Sequence, residues 1–212
     1  MSDVVLYDYW RSSAAYRLRI ALGLAGLRWR SVPVDLLDGA QRGADNLARN
    51  PQGLVPTVEI DGLTLTQSLA VIEYLDETRG CGFLPADAPG RARVRALAHA
   101  VAMEIHPVCN LAVSKFAADN SGGAITVQGW MQHFIARGLA AVERMLDHPD
   151  TGRLCHGDTV TMADIVLVPQ LYNARRWEVD IAGLERIASI DARLAGIPAF
   201  AAAHPDRARP AD

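Results

Sequence analysis

Residues 55–65 read VPTVEIDGLTL, two short β-rich runs on either side of Asp61-Gly62. An Asp-Gly pair between such runs favours a two-residue turn, so this stretch predicts a β-hairpin. Residues 68–78 follow at once and have the apolar spacing of a helix.

The chain before the hairpin carries two such strand patterns. Residues 4–9 (VVLYDY) and 29–34 are β-rich, and between them Ser12 or Ser13 is placed to cap a helix. The polar, glycine-punctuated stretch 38–50 has room for one short helix. The first part of the chain therefore predicts the order β-α-β-α-β-β-α.

The strand patterns stop after Gly80. Residues 81–90 (CGFLPADAPG) have the Gly, Pro and Asp content of a linker. We therefore predict an α/β domain over 1–80 and an all-α domain over 91–212. The helices predicted for the second domain are 91–118, 126–146, 162–177 and two shorter ones between 184 and 203.

Composition and charge exclude several classes of function. The 212 residues are 50% hydrophobic and carry a net charge of −3, so no general basic field is available for nucleic acid or an anionic membrane. The three cysteines lack C-x-x-C spacing, and the six histidines lack the spacing of metal ligands, so we expect no metal. With no leader pattern and no long apolar run, we expect a cytoplasmic protein.

The segment WRSSAAYRLRIAL, residues 10–22, resembles the signature of zeta-class glutathione transferases, specifically the bacterial maleylacetoacetate isomerases. The resemblance implies a thioredoxin-like N-terminal domain followed by an all-helical C-terminal domain, the glutathione transferase fold, and a homodimer. It extends over nearly the whole chain, from Val4 to about Pro205. Four further segments resemble the family in the same order: residues 50–56 (NPQGLVP), 67–75 (QSLAVIEYL), 105–110 (IHPVCN) and 157–176.

The resemblance also implies a site for glutathione as cofactor. Pro56 would be preceded by a cis peptide bond, which turns the backbone of Val55 toward the cysteinyl part of glutathione. Gln67 and Ser68 open a helix, where a hydroxyl and free N–H groups suit the γ-glutamyl carboxylate. Further glutathione contacts are implied for Gln41, Gln52, His106 and Asn110.

The activity that the resemblance implies is glutathione-dependent cis–trans isomerisation of maleylacetoacetate to fumarylacetoacetate, in tyrosine and phenylalanine catabolism. Thiolate addition, bond rotation and elimination would carry it out, so the protein needs no cysteine nucleophile. Ser12, at a helix start, is our first candidate to stabilise the thiolate, and Ser13 is the alternative. Arg11 adds positive potential there, and Arg11 and Arg176 are the candidates for binding the carboxylates of a diketo-dicarboxylic substrate.

Other interpretations stay open. Arg17 and Arg19 point away from Arg11 on a helix, which indicates a solvated or salt-bridged face. Ala112 stands where bacterial relatives often carry arginine, and this favours an acetoacetyl-type substrate over maleylpyruvate. Maleylpyruvate isomerisation in gentisate catabolism, dehalogenation or conjugation of α-halo acids, and a binding protein on the same scaffold are the alternatives.

Overall fold

The computed structural model describes residues 4–209, and these form two compact units. The first unit contains the described residues up to Phe83 together with those from Ala195 onward. The second unit is Leu84–Leu194. The predicted domains differ in one respect, because the segment from Ala195 onward was expected in the helical domain. No helix within residues 4–209 is long and apolar enough to cross a membrane.

Regular elements follow one another along the described chain. The strands are Val4–Asp8 (β1), Trp29–Pro33 (β2), Thr57–Ile60 (β3) and Leu63–Thr66 (β4). The α-helices are Ser13–Leu24 (α1), Ala44–Arg49 (α2), Ser68–Arg79 (α3), Ala88–His99 (α4), Leu111–Asp119 (α5), Val127–Met145 (α6), Met162–Arg176 (α7), Glu185–Leu194 (α8), Pro198–Ala203 (α9) and Pro205–Ala208 (α10).

The first unit is built on a four-stranded sheet in the order β2-β1-β3-β4. β1 pairs in parallel with β2 and antiparallel with β3, and β3 pairs antiparallel with β4. The β3–β4 hairpin turns at Asp61 and Gly62, whose φ angles of 53° and 78° match the positive values that a type I′ turn requires. The predicted β-α-β-α-β-β-α order is confirmed, with an additional 3₁₀ turn at Ala40–Arg42.

Helix α1 is buried on almost every side. Each residue from Ala15 to Leu22 is buried, because α3 packs against one side of the helix and α9 against another. Gly23 allows this second contact, since a Cβ there would already stand 3.4 Å from the Cβ of Ala199. The C-terminal segment therefore completes the core of the first unit.

The second unit consists of α4 to α8. α4 begins at Ala88, inside the predicted linker, because Asp87 accepts a hydrogen bond from the Gly90 amide and caps it. The helix predicted over 91–118 is interrupted, since α4 runs into a π-helix at Ala100–Ile105 and α5 starts only at Leu111. Pro107, which has no N–H to donate, lies in the interruption.

Candidate active site

Ser12 and Ser13 stand at the start of α1. Ser12 is the N-cap residue, and its Oγ accepts a 3.2 Å hydrogen bond from the Ala15 amide. A hydroxyl that accepts still has its own hydrogen to donate, so capping and binding an anion are compatible roles. Ser13 is the first helical residue and is buried, and among the described residues its hydroxyl has no hydrogen-bond partner. The geometry therefore leaves both serines as candidate donors.

Arg11 is held by the two aromatic residues before it. Its Nη2 donates to the Tyr9 hydroxyl at 2.9 Å, and its Cζ lies 4.7 Å from the centroid of the Trp10 ring. Stacking on a ring leaves part of the guanidinium edge open to an anion. A fixed positive charge therefore stands directly beside Ser12.

A buried ion pair supports the backbone of this loop. Arg19 Nη1 donates to Asp8 Oδ2 at 2.7 Å, its Nη2 to the Trp10 carbonyl at 2.9 Å and its Nε to the Ala203 carbonyl at 3.0 Å. Burial raises the pKa of the Asp8 carboxyl, and Arg19 opposes that rise. Arg19 is thus salt-bridged, one of the two predicted alternatives, but it lies in the interior and not on a solvated face.

The predicted cis bond between Val55 and Pro56 is confirmed. Among residues 4–209, neither the amide nor the carbonyl of Val55 makes a hydrogen bond. The carbonyl of the preceding Leu54 accepts from the side chains of Asn46 and Asn50, at 3.4 and 3.1 Å, which fixes the approach to the bond. The Val55 backbone is therefore free to pair with an extended peptide.

The start of α3 lacks a side-chain cap. Gln67 adopts a φ of 66°, and its Nε2 donates to Gln52 Oε1 at 2.8 Å instead of capping the helix. Ser68 is buried at the first helical position. The first amides of a helix have no partner within the helix, so an anion is the natural complement of this end. Gln41, in the 3₁₀ turn, has a buried Oε1 without a hydrogen-bond partner.

Arg17 is a functional candidate that the sequence analysis missed. The predicted solvated or salt-bridged face is wrong for it, because Arg17 is 2% exposed and pairs with no carboxylate among the described residues. Its Nη1 donates to Ser68 Oγ at 3.2 Å, while Nε and Nη2 are buried without partners. Burial lowers its pKa to about 10. The R-x-R spacing within the otherwise apolar segment 14–22 was the available signal, because α1 has no broad solvated face for either arginine.

The residues of the first unit fit glutathione. Three sets of polar groups lack a hydrogen-bond partner among residues 4–209: the backbone of Val55, the first amides of α3, and the buried donors of Arg17 and Ser68. A tripeptide with a free carboxylate supplies partners for all three. Donors without partners are costly in a protein interior, so a polar ligand offsets that cost.

His106, Asn110 and Arg176 lie in the second unit. His106 follows the π-helix, and its amide donates to the Val101 carbonyl. Asn110 caps α5 with its side-chain oxygen, so its amide nitrogen is the part left for a ligand. Arg176 is exposed at the end of α7, with its Cζ 5.0 Å from the Trp177 ring centroid.

The cysteines have the surroundings of structural thiols. Cys109 and Cys155 are buried, and burial raises the pKa of both, to about 11 for Cys109. Cys81 is partly buried, and burial raises its pKa as well. At neutral pH all three are protonated, so none offers a thiolate nucleophile.

Comparison with known proteins agrees with this geometry. Residues 2–77 match the family described as glutathione S-transferase, N-terminal domain. The chain is 63% identical over 211 residues to the maleylacetoacetate isomerase of Rhizobium meliloti, covering 99% of each chain, and 40% identical over 206 residues to that of Mus musculus, covering 96% of this chain and 93% of the other.

Two solved structures are similar over nearly the full length. A zeta-class maleylpyruvate isomerase, a bacterial glutathione transferase in its holo form, superimposes with a TM-score of 0.91 at 39% identity, covering 96% of this chain and 97% of the other. A maleylacetoacetate isomerase from Methylobacterium extorquens AM1 with bound malonate and glutathione gives a TM-score of 0.92 at 38% identity, covering 98% and 100%.

Proposed function

Because this chain belongs to the maleylacetoacetate isomerase family of zeta-class glutathione transferases, we propose that it converts maleylacetoacetate to fumarylacetoacetate with glutathione as cofactor. The observation that carries the proposal is the 63% identity, over 99% of both chains, to the Rhizobium meliloti maleylacetoacetate isomerase. The first unit adds physical support, because its unpartnered donors suit a glutathione tripeptide.

Glutathione is held by the first unit in this proposal. The backbone of Val55 pairs with the cysteinyl residue, and Ser68 with the α3 amides binds the γ-glutamyl carboxylate. Gln52 and Gln67 are fixed to each other by their side chains and so present one polar edge to the tripeptide. The contacts assigned to Gln41, His106 and Asn110 remain part of the proposal.

When bound, glutathione supplies the thiolate that adds to the cis double bond, so that rotation about the resulting single bond and elimination give the trans product. Ser12 donates its hydroxyl hydrogen to that sulfur and so favours the ionised form. Ser13 is the alternative donor. The positive end of α1 and the guanidinium of Arg11 also stabilise the negative charge on the sulfur.

Two arginines bind the acidic ends of the substrate. Arg11 is stacked and hydrogen-bonded, so it offers a carboxylate a guanidinium that loses little freedom on binding. Arg176 is held beside Trp177 and supplies the second charge. Arg175, its neighbour, is already paired with Asp191 and so has no such role.

Maleylpyruvate is the second candidate substrate. The similarity to a zeta-class maleylpyruvate isomerase, with a TM-score of 0.91, favours it, whereas Ala112 in place of an arginine favours maleylacetoacetate. Loss of the ultraviolet absorbance of each cis substrate, with and without glutathione, distinguishes the two. We expect glutathione-dependent turnover with the larger kcat/KM for maleylacetoacetate. Turnover of neither substrate would refute the isomerase proposal, and halide release from dichloroacetate would then indicate a dehalogenase.

The organisation of the protein is part of the same proposal. Residues 1–80 bind glutathione, and 91–212 contain the substrate-binding residues of the helical domain; the predicted linker 81–90 also holds the start of α4. The enzyme acts in the cytoplasm as a homodimer, in tyrosine and phenylalanine catabolism. Light scattering on the purified protein tests the dimer, for which the expected mass is about twice the chain's 22.9 kDa.

A further inference from the structure

Arg17 carries a charge that no group among residues 4–209 compensates. Its side chain is 2% exposed, no carboxylate among residues 4–209 pairs with it, and Nε and Nη2 have no hydrogen-bond partner. A buried cation in this state destabilises the folded chain, whereas its neighbour Arg19 has Asp8 as a partner. The presence of such a residue is explained if a bound ligand supplies the anion that pairs with Arg17.

The single hydrogen bond of Arg17 fixes the direction of the Ser68 hydroxyl. A guanidinium has no acceptor, so Nη1 must donate to Ser68 Oγ over the 3.2 Å between them. The hydroxyl hydrogen of Ser68 is then left to donate elsewhere, and it has no acceptor among the described residues. Arg17 thus makes Ser68 a polarised donor at the first position of α3.

The start of α3 adds to the same electrostatic effect. Gln67 does not cap the helix, because its side chain is bonded to Gln52, so the first amides of this 12-residue helix are open to a ligand. The partial positive charge of the helix end, a polarised hydroxyl and a full buried charge behind it all favour an anion.

We propose that Arg17 is a positioning residue for glutathione, which acts through Ser68 to select the γ-glutamyl carboxylate at the start of α3. This inference rests on the proposed glutathione-dependent function and deepens it. Arg17 orients the Ser68 hydroxyl outward and supplies, from the interior, the charge that the carboxylate neutralises. The carboxylate in turn offsets the cost of burying Arg17, so ligand binding and stability are coupled through this residue.

The test compares two ligands that differ only in that carboxylate. They are S-methylglutathione and S-methyl-(4-aminobutyryl)cysteinylglycine, and the S-methyl group removes thiol ionisation from both. Their dissociation constants are measured by calorimetry for the full-length wild type, Arg17→Met and Arg17→Lys. Arg30→Met is the control, because it removes one positive charge from an exposed position on β2.

We expect the wild type and Arg30→Met to prefer the carboxylate ligand strongly. Arg17→Met should lose on the order of tenfold in affinity for that ligand, with little change for the other, since a nearby unit charge has an effect of this size. Arg17→Lys should keep most of the preference. Ligand-free Arg17→Met should melt at or above the wild-type temperature, and its S-methylglutathione-induced shift in Tm should be reduced.

An equal loss of affinity for both ligands in Arg17→Met, or no loss for either, would overturn the role of Arg17. If Arg17→Met does not fold, the Arg17→Lys variant decides, and loss of the preference there despite the retained charge also overturns the proposal. Failure of both variants to fold would make Arg17 a structural residue. A wild type that binds neither ligand would instead refute the proposed glutathione-dependent function.

Discussion

Replacement of Ser12 separates its two roles at the start of α1. As N-cap, Ser12 accepts one hydrogen bond of 3.2 Å from the Ala15 amide, and loss of such a cap costs about 1 kcal/mol. For a chain of this size Ser12→Ala should therefore lower Tm by about 2–4 °C. As the hydrogen-bond donor to the thiolate, Ser12 should have a larger effect on kcat. Removing one donor to an anion of this kind lowers kcat by about 100- to 1000-fold.

Ser12→Asp tests the distinction between these roles. Aspartate caps a helix as well as serine does, so stability should be retained, but its negative charge repels a thiolate and activity should fall at least as far as in Ser12→Ala. Thr126→Ala is the matched control, because Thr126 caps α6 by accepting from the Gly129 amide at 3.0 Å. It should reproduce the loss of Tm and leave kcat unchanged.

The assays are thermal denaturation, isomerase kinetics and a pH titration of thiolate absorbance, which gives the pKa of the enzyme-bound glutathione thiol. A kcat for Ser12→Ala within threefold of the wild type would refute the assignment of the thiolate to Ser12. If Ser13→Ala then lost activity and raised the thiol pKa, Ser13 would be the donor. Activity retained in Ser12→Asp would show that the hydroxyl hydrogen has no part in stabilising the sulfur.

Three further predictions concern the packing of the second unit and the thiols. Gly138→Ala should lower the free energy of unfolding by about 1–3 kcal/mol in urea titrations, because the new Cβ would stand 2.3 Å from Ile105 Cγ1. Gly183→Ala is the control: a Cβ there would have nothing within 4 Å, so no clash should lower the stability. Asp164→Ala should lower the free energy of unfolding by about 3–5 kcal/mol in the same measurement, because this buried carboxylate accepts three hydrogen bonds whose donors would be left unsatisfied. A loss below about 1 kcal/mol would contradict this role of the three hydrogen bonds. Ellman's reagent at pH 8 should react with at most one thiol of the native protein, that of Cys81, and with all three thiols after unfolding. Rapid reaction of a second thiol in the native protein would contradict the burial of Cys109 and Cys155.

Local chemistry accounts for what the sequence predicted correctly. The hairpin at Asp61-Gly62 and the cap at Ser12 each depend on a few adjacent residues. Such signals survive in any tertiary context, because turn geometry and capping are satisfied within one turn of the chain. The cis bond before Pro56 required the resemblance as well, since most X–Pro bonds are trans.

Long-range packing accounts for what the sequence did not predict. The spacing of arginines on α1 indicated a polar face, but Arg17 meets the start of α3, and Arg19 meets α9, which comes from the other end of the chain. Arg17 was therefore assigned to a solvated or salt-bridged face, and its link to Ser68 could not be foreseen. The π-helix between α4 and α5 was missed because a segment of six residues is too short to show a different apolar period.

The return of α9 to the first unit sets the order in which a nascent chain can complete its folding. The carbonyl of Ala203, which binds Arg19, leaves the ribosome only after all the helices from α1 to α8 have been made. Until then α1 exposes the side around Gly23 that α9 later covers, and Arg19, which holds the Trp10 carbonyl, lacks one of its acceptors. The helices of Leu84–Leu194 are synthesised earlier and can pack first. The loop that carries Arg11 and Ser12, although synthesised before those helices, therefore gains its full support only when α9 packs against α1.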